Sequence, residues 1–482
     1  MADCCCGDRC AAGEAETRPD VFIAGAGSAG FSAAITAAES GAHVVLAGEG
    51  TIGGTCVNVG CVPSKALIRA MQAVQDGNRA GRFEGVMGGA SVCDWAVLVR
   101  QKQALVERLR KAKYEDLLAE YPSVSYVRGR ARFTGDGAGM EVNGVRYQAE
   151  KVILATGSRP AMPAIAGMDC VAALDSTKAL ALERLPGSLL ILGGGVIAVE
   201  LGQMLARAGV KVTICCRSRI LPKEEPEVSE ALVGYLREEG VTVRERLEYV
   251  RIEAGGLGVR LTCRHGGREE AIEAEEVLAA TGRKPNTEGL EAGKAGVRLD
   301  GNGAVLVNEY LQTSHPDVYA AGDVTGRDLF VYMAAYGAKV AARNAVGGNR
   351  QRYDDEVMPE VVFTDPQVAS VGLTEGEARA RGMAVETRVL GLDAVPRYLV
   401  GRDARGLIKL VAGSGSGRLL GGTVLAPEGG EAIQTLAMAL RVGMTAEELG
   451  GAIFPYLTGV EGLKLAAQTF TKDVSRLSCC AG

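Results

Sequence analysis

The chain has 482 residues and a formal net charge of -5, with 23% charged and 47% hydrophobic residues and no lysine or arginine block. That balance disfavours nucleic acid as a partner, and no uninterrupted apolar run reaches bilayer length, so no membrane span is expected. Asp3, Asp8 and Glu14 replace the basic start of a secretory signal, which points to the cytoplasm, where 13 cysteines argue for redox or metal chemistry over structural disulfides.

Residues 1–17 hold Cys4, Cys5, Cys6 and Cys10 in a stretch too short and polar to fold, and read as a flexible Cys-rich tail. Residues 20–47 then read as strand, tight turn, helix and strand, with Gly25, Gly27 and Gly30 forming G-x-G-x-x-G. These glycines let the turn and the helix N-terminus approach a pyrophosphate. "GTIGGTCVNVGCVPSK" (50–65) follows, with Cys56 and Cys61 behind a glycine pair. A helix is predicted to begin near Cys56, and its N-terminal dipole favours a thiolate. A structural zinc site would want four ligands, usually two such pairs or histidines, and neither is in sight. Cys93, Cys170 and Cys263 are isolated and read as small core or surface residues.

The dinucleotide pattern recurs at 187–216, with Gly193, Gly195 and Ala198 in the glycine positions. Two modules suggest two dinucleotides, such as a flavin and a nicotinamide. "ILATGSRP" (153–160) and "LAATGRKPN" (278–286) look like strands leaving a domain through a glycine turn, and bracket the second module as an insertion. An acid usually ends the second strand of a module for unphosphorylated NAD. Here that place reads Cys215-Cys216-Arg217-Ser218-Arg219. The arginines suit the 2′-phosphate of NADPH, or are solvated surface. "VYAAGDV" (318–324) ends a strand at Asp323, whose carboxylate can take a ribitol hydroxyl. Residues 353–482 change to antiparallel strands and then helices. The expected fold is α/β: a Rossmann-like FAD domain (18–157 and 279–352), a Rossmann-like NADPH domain (158–278) and a C-terminal α+β dimerisation domain (353–482).

"GGTCVNVGCVPSK", the two modules, "ATG" twice, "AAGD" and the C-terminal domain together resemble the flavoprotein disulfide reductases, the class I pyridine nucleotide-disulfide oxidoreductases. The likeness covers nearly the whole chain after about residue 18. "FPYLT" and "VEGLKLAAQTF" (454–470), with the final "LSCCAG", resemble the branch of that family that reduces mercuric ions. The resemblance implies that Cys56 and Cys61 form a redox-active pair, with Cys61 toward the flavin and Cys56 toward substrate. It implies that Lys65 approaches the flavin and pairs with Glu200; a plain interdomain salt bridge is the other reading. Gly50, Thr55, Ala131 in "GRARF" and Val331 in "LFVYMAA" match flavin-contacting positions. The family's acid for the adenosine ribose falls on Gly48, and Glu49 carries the carboxylate one residue later. Some relatives have a tyrosine gate where this chain has Val196. Many members of the branch begin with a separate metal-binding domain, and this chain is expected to be a form without it.

Disulfide-reducing relatives use a C-terminal histidine–glutamate pair as acid and base, because a thiol substrate exchanges a proton. The histidines here are His43, His265 and His315, and the matching stretch reads Phe454-Pro455-Tyr456. Hg(II) needs no such transfer, and soft thiolates select it and exchange it. The expected activity is therefore NADPH-dependent reduction of Hg(II), with Cys56, Cys61, Cys479 and Cys480 as its ligands. Cys479 and Cys480 would deliver the ion to Cys56 and Cys61 of the other subunit of a homodimer. Tyr456 and Glu461 would line the path, unless Tyr456 is ordinary core. A thioredoxin-reductase-like disulfide reductase and a metal-storing thiol protein are the alternatives; the missing histidine opposes the first and the two dinucleotide modules oppose the second.

Overall fold

The structure is a computed structural model that describes residues 17–477. Cys4, Cys5, Cys6, Cys10, Cys479 and Cys480 lie outside the described residues. Two compact units are present. The first runs up to Val59 and takes in Leu105–Arg159 and Arg283–Tyr353; the second takes in Gly60–Ala104, Pro160–Gly282 and the described residues from Asp354 onward.

In the first unit a parallel sheet runs in the order Val318–Ala320, Lys151–Leu154, Val21–Ala24, Val44–Gly48 and Val124–Arg128. Its central strand, Val-Phe-Ile-Ala, is buried throughout. An unbroken apolar run is what a strand covered on both faces requires. Val21 and Ile23 turn toward the helices Ser28–Glu39 and Val331–Gly347. Those helices approach closely because they meet through alanines, Ala33, Ala37, Ala338 and Ala341 among them. Phe22 and Ala24 turn the other way, onto Phe133, Met140 and Tyr147 of a small antiparallel sheet, Ala131–Phe133, Met140–Val142 and Val145–Tyr147.

The second unit repeats this plan. Its parallel sheet runs Thr242–Arg244, Lys211–Cys215, Ser188–Leu192 and Glu276–Ala279. Leu189 and Ile191 face the helices Val196–Arg207 and Pro226–Glu238, while Leu190 and Leu192 face Ile252, Leu261 and Cys263 of the antiparallel strands Glu248–Gly255, Gly258–His265 and Arg268–Ala274. Helix Cys61–Asn78 packs its Leu67 and Met71 into the helix-side core. The C-terminal part of this unit is an antiparallel sheet, ordered Glu360–Val362, Gln367–Gly372, Leu419–Ala426, Leu407–Gly413 and Val385–Gly391. Helices Gly429–Arg441 and Glu461–Gln468 contribute Ile433, Leu436, Leu463 and Ala466 to its core. Among the described residues no helix is long and apolar enough to cross a membrane.

Candidate functional site

The first glycine turn is built by close backbone approach. Gly25 has φ +122°, and a methyl group there would lie 2.1 Å from the Ala155 carbonyl oxygen. One on Gly30 would lie 1.7 Å from the Gly25 oxygen. Gly27 is the N-cap of helix Ser28–Glu39, has no side-chain capping bond, and is followed by a first turn without acids. Within 4 Å of a methyl group at Gly27 there would be only the Gly54 Cα, at 3.6 Å. The helix start thus offers backbone N–H groups into a side-chain-free cradle, which fits a pyrophosphate.

The second turn is its counterpart. Gly193 has φ +124° and would place a methyl group 2.3 Å from the Ala280 oxygen. Gly195 is an N-cap with no side-chain bond and nothing within 4 Å of the missing Cβ. Ala198 stands third, fully buried. The two "ATG" echoes also serve alike. Thr156 Oγ1 donates to the Asn286 oxygen at 2.7 Å, and Thr281 Oγ1 to the Ala161 oxygen at 2.9 Å. Both turns therefore fit a dinucleotide.

Other residues of the first unit stand as follows. A side chain at Gly48 would come within 2.4 Å of the Ala26 Cβ, so an acid has no room there. Glu49 is exposed instead and pairs with Arg130 at 3.4 Å. Gly50 has φ +82°. Asp323 follows Gly322, and its Oδ2 accepts from Ser158 Oγ at 2.5 Å, with Arg283 Nε at 3.5 Å. Arg283 also donates to Ser158 Oγ at 2.7 Å, so this carboxylate is held by a three-member network. Ala131 begins its strand, and Val331 begins helix Val331–Gly347.

Cys56 is the third residue of helix Gly54–Val59, and Cys61 the first residue of helix Cys61–Asn78. Both are partly buried, as is Lys65, while Thr55 is exposed. The Cys56 helix is clamped by Asn58, whose amide donates to the Ile52 and Gly54 oxygens at 2.9 Å and whose Oδ1 accepts from Arg110 at 3.2 Å. Sequence reasoning missed this clamp; Asn58 stands between the cysteines, but nothing local marks Arg110. In the second unit Lys65 Nζ donates to Glu200 Oε2 at 2.7 Å and lies 4.7 Å from the centre of the Phe363 ring. Glu200 is 4% exposed and also accepts from the Phe363 N–H at 2.9 Å.

Arg217 is exposed, but Arg219 is already engaged. Its guanidinium donates to Ser229 Oγ, to the Glu224 oxygen and to the Pro222 oxygen, the last at 3.0 Å. Of the two arginines suited to a 2′-phosphate, only Arg217 is a solvated side chain. Cys215, Cys216 and Cys263 are buried, and Cys93 and Cys170 are exposed. Burial pushes the Cys216 and Cys263 thiols up to about 11 and Cys215 further still, so these sulfurs stay protonated and make poor metal ligands. Tyr456 is 58% exposed, which removes the core-packing reading. Glu461 is buried and accepts from the Leu457 N–H at 3.3 Å, which holds the turn that follows Tyr456.

The pyridine nucleotide-disulphide oxidoreductase family model matches residues 19–345, and that family's dimerisation-domain model matches residues 358–467. The chain belongs to the pyridine nucleotide-disulphide oxidoreductase family. Within the family it is 45% identical to the mercuric reductase of Staphylococcus aureus, over 96% of this chain and 84% of that one. It is 44% identical to the mercuric reductase of Streptomyces lividans, over 97% of this chain and all of that one. Among solved structures it is similar to the HOCl-induced flavoprotein disulfide reductase RclA from Escherichia coli, with TM-score 0.82 and 30% identity over 95% of this chain and all of that one.

Proposed function

We propose that this oxidoreductase transfers two electrons from NADPH to Hg(II): NADPH + Hg²⁺ → NADP⁺ + H⁺ + Hg⁰. One observation carries the choice of substrate. Behind its glycine turn the chain has the Cys56/Cys61 pair, yet Phe454-Pro455-Tyr456 stands where disulfide-reducing relatives keep an acid–base histidine. An enzyme without that group lacks the proton transfer an organic disulfide needs, whereas a thiophilic cation needs only thiolates. Similarity to curated mercuric reductases supports the same reading.

In this reading Gly25, Gly27, Gly30, Glu49, Gly50, Thr55, Ala131, Asp323 and Val331 hold FAD, and Gly193, Gly195, Ala198 and Arg217 hold NADPH. Bound FAD supplies the two-electron link between the nicotinamide and the thiols. Cys56 and Cys61, each in the opening turn of a helix, are set to act as thiolates and ligate Hg(II). Lys65, held by the buried Glu200, keeps a cation among the reacting groups. Tyr456, exposed on the C-terminal domain, meets incoming substrate in a homodimer. Cys479 and Cys480 capture the ion from solution thiols and deliver it across the dimer interface, in two equivalent composite sites.

Cys56→Ser and Cys61→Ser test the pair. Each variant should purify yellow, with FAD retained, and lose mercury-dependent NADPH oxidation by about a thousandfold or more, since a nucleophile and metal ligand is removed. Turnover like that of the parent protein in either variant would remove the pair from the mechanism.

A further inference from the structure

Between the second strand of the second module and helix Pro226–Glu238 runs a segment that touches both the glycine turn and the C-terminal sheet. It starts beneath the turn. A methyl group at Gly194 would lie 3.1 Å from Cys216 Sγ and 3.1 Å from the Arg219 carbonyl oxygen. Leu221, held at φ 43°, donates its N–H to the Gly194 oxygen at 2.7 Å. The other end is anchored in the C-terminal sheet. Glu224 Oε1 accepts from Ser370 Oγ at 3.0 Å, and Glu225 Oε1 accepts from the Glu375 N–H at 2.7 Å. Lys409, 3% exposed on strand Leu407–Gly413, meets Glu225 at 3.1 Å, Glu227 at 2.6 Å and Glu375 at 3.0 Å. In the middle, the Arg219 guanidinium ties together Pro222, Glu224 and Ser229.

We propose that Arg219 and Lys409 are positioning residues for the nicotinamide dinucleotide. They hold residues 217–225 as a strap that fixes the Gly194 turn and presents Arg217, and neither reads charge on the nucleotide. Arg219 commits both terminal nitrogens to protein oxygens, and Lys409 is enclosed by three carboxylates. The inference rests on the second module being the NADPH site.

The test is calorimetric binding of NADP⁺ and of NAD⁺ to the FAD-loaded full chain, independent of turnover. Arg217→Ala should weaken NADP⁺ about tenfold and leave NAD⁺ unchanged, because one charge-assisted contact to the 2′-phosphate is lost. Arg219→Lys keeps the charge but cannot reproduce the fork of bonds, and should weaken both nucleotides by about fivefold with their ratio preserved. Lys409→Met should do the same from the C-terminal domain. Should that variant fail to fold, Glu227→Gln, which removes one partly exposed partner of Lys409, replaces it, with a smaller loss in the same direction for both nucleotides. Parental affinity for both nucleotides in Arg219→Lys, or a loss confined to NADP⁺, overturns the proposal. Failure of the parent protein to bind either nucleotide overturns the NADPH reading itself, and is distinguishable from a parent that binds while the strap variants match it.

Discussion

The two dinucleotide modules share one plan, a parallel sheet with helices on one face and a three-stranded antiparallel sheet on the other, and differ where ligands are chosen. Each buries a small residue at the end of its second strand against the middle residue of its glycine turn. In the first module Gly48 accommodates the methyl of Ala26; in the second Cys216 fills the space over Gly194. One partner of each pair has a side chain because there is room for only one. The first charged residue then falls one position later and is exposed, Glu49 in the first module and Arg217 in the second. The opposite signs suit a ribose hydroxyl and a 2′-phosphate respectively. The shifted acid of the first module is thus a packing consequence. At the third glycine position the modules differ again: Gly30 has no room for a methyl group, while Ala198 is buried with one. That position sets how closely the helix sits on its turn, and the first two glycines set the turn and the ligand's access.

Exchanging the third residue should break the symmetry most sharply. Gly30→Ala forces a methyl group into the Gly25 carbonyl, and should cost more than about 3 kcal/mol and yield colourless protein. Ala198→Gly should cost about 1 kcal/mol and leave nucleotide binding intact. Thermal unfolding and the visible spectrum of the purified variants measure both. Equal effects at the two sites would contradict the packing account.

The fifth residue of each module helix gives the next contrast. Ser32 donates to the Ala335 oxygen at 2.8 Å, whereas Glu200 joins Lys65 to the Phe363 backbone. Ser32→Ala should cost about 1 kcal/mol, a single neutral hydrogen bond. Glu200→Ala strips a partly buried lysine of its partner, and should cost about 2–3 kcal/mol and lower kcat more than KM. A Glu200→Ala enzyme with parental kcat would reduce the pair to a structural salt bridge.

The smallest effect belongs to a feature the first module lacks, the strap carboxyl Glu224. Burial pushes it up to about 7, with Glu360 and Glu225 adding to the rise and Ser370 and Arg219 opposing it. Folding therefore favours the protonated form. That contribution is complete in acid and is lost as pH rises through about 7. Glu224→Gln should be more stable than the parent at about pH 8, on the order of 2 kcal/mol, with the gap narrowing below about pH 7 and closing by about pH 4. A gap that widened in acid would reverse the sign.

Much of this was legible in the sequence because it is local. The apolar runs around Phe22 and Leu190, the two glycine turns and both "ATG" echoes each declare themselves within a few residues. The antiparallel sheet 248–274 was not legible, because its strands carry charge on their solvent face, as in Arg268–Ala274, and only the tertiary fold shows that Val259, Leu261 and Cys263 are buried. The Asn58–Arg110 clamp and the Lys409 cluster join residues far apart in the chain, so no spacing rule reports them. Arg219 looked like a phosphate ligand because a sequence shows charge and does not show which oxygens have claimed it.

Hg(II), and not an organic disulfide, is the proposed electron acceptor. Purified FAD-loaded protein should be given NADPH and excess small thiol, with Hg(II) or with a disulfide such as oxidised glutathione or a thioredoxin, while NADPH absorbance and volatilised mercury are followed. NADPH oxidation should require Hg(II), with one Hg(0) released per NADPH consumed and little turnover with disulfides. Rapid disulfide reduction with no mercury-dependent oxidation of NADPH would contradict it.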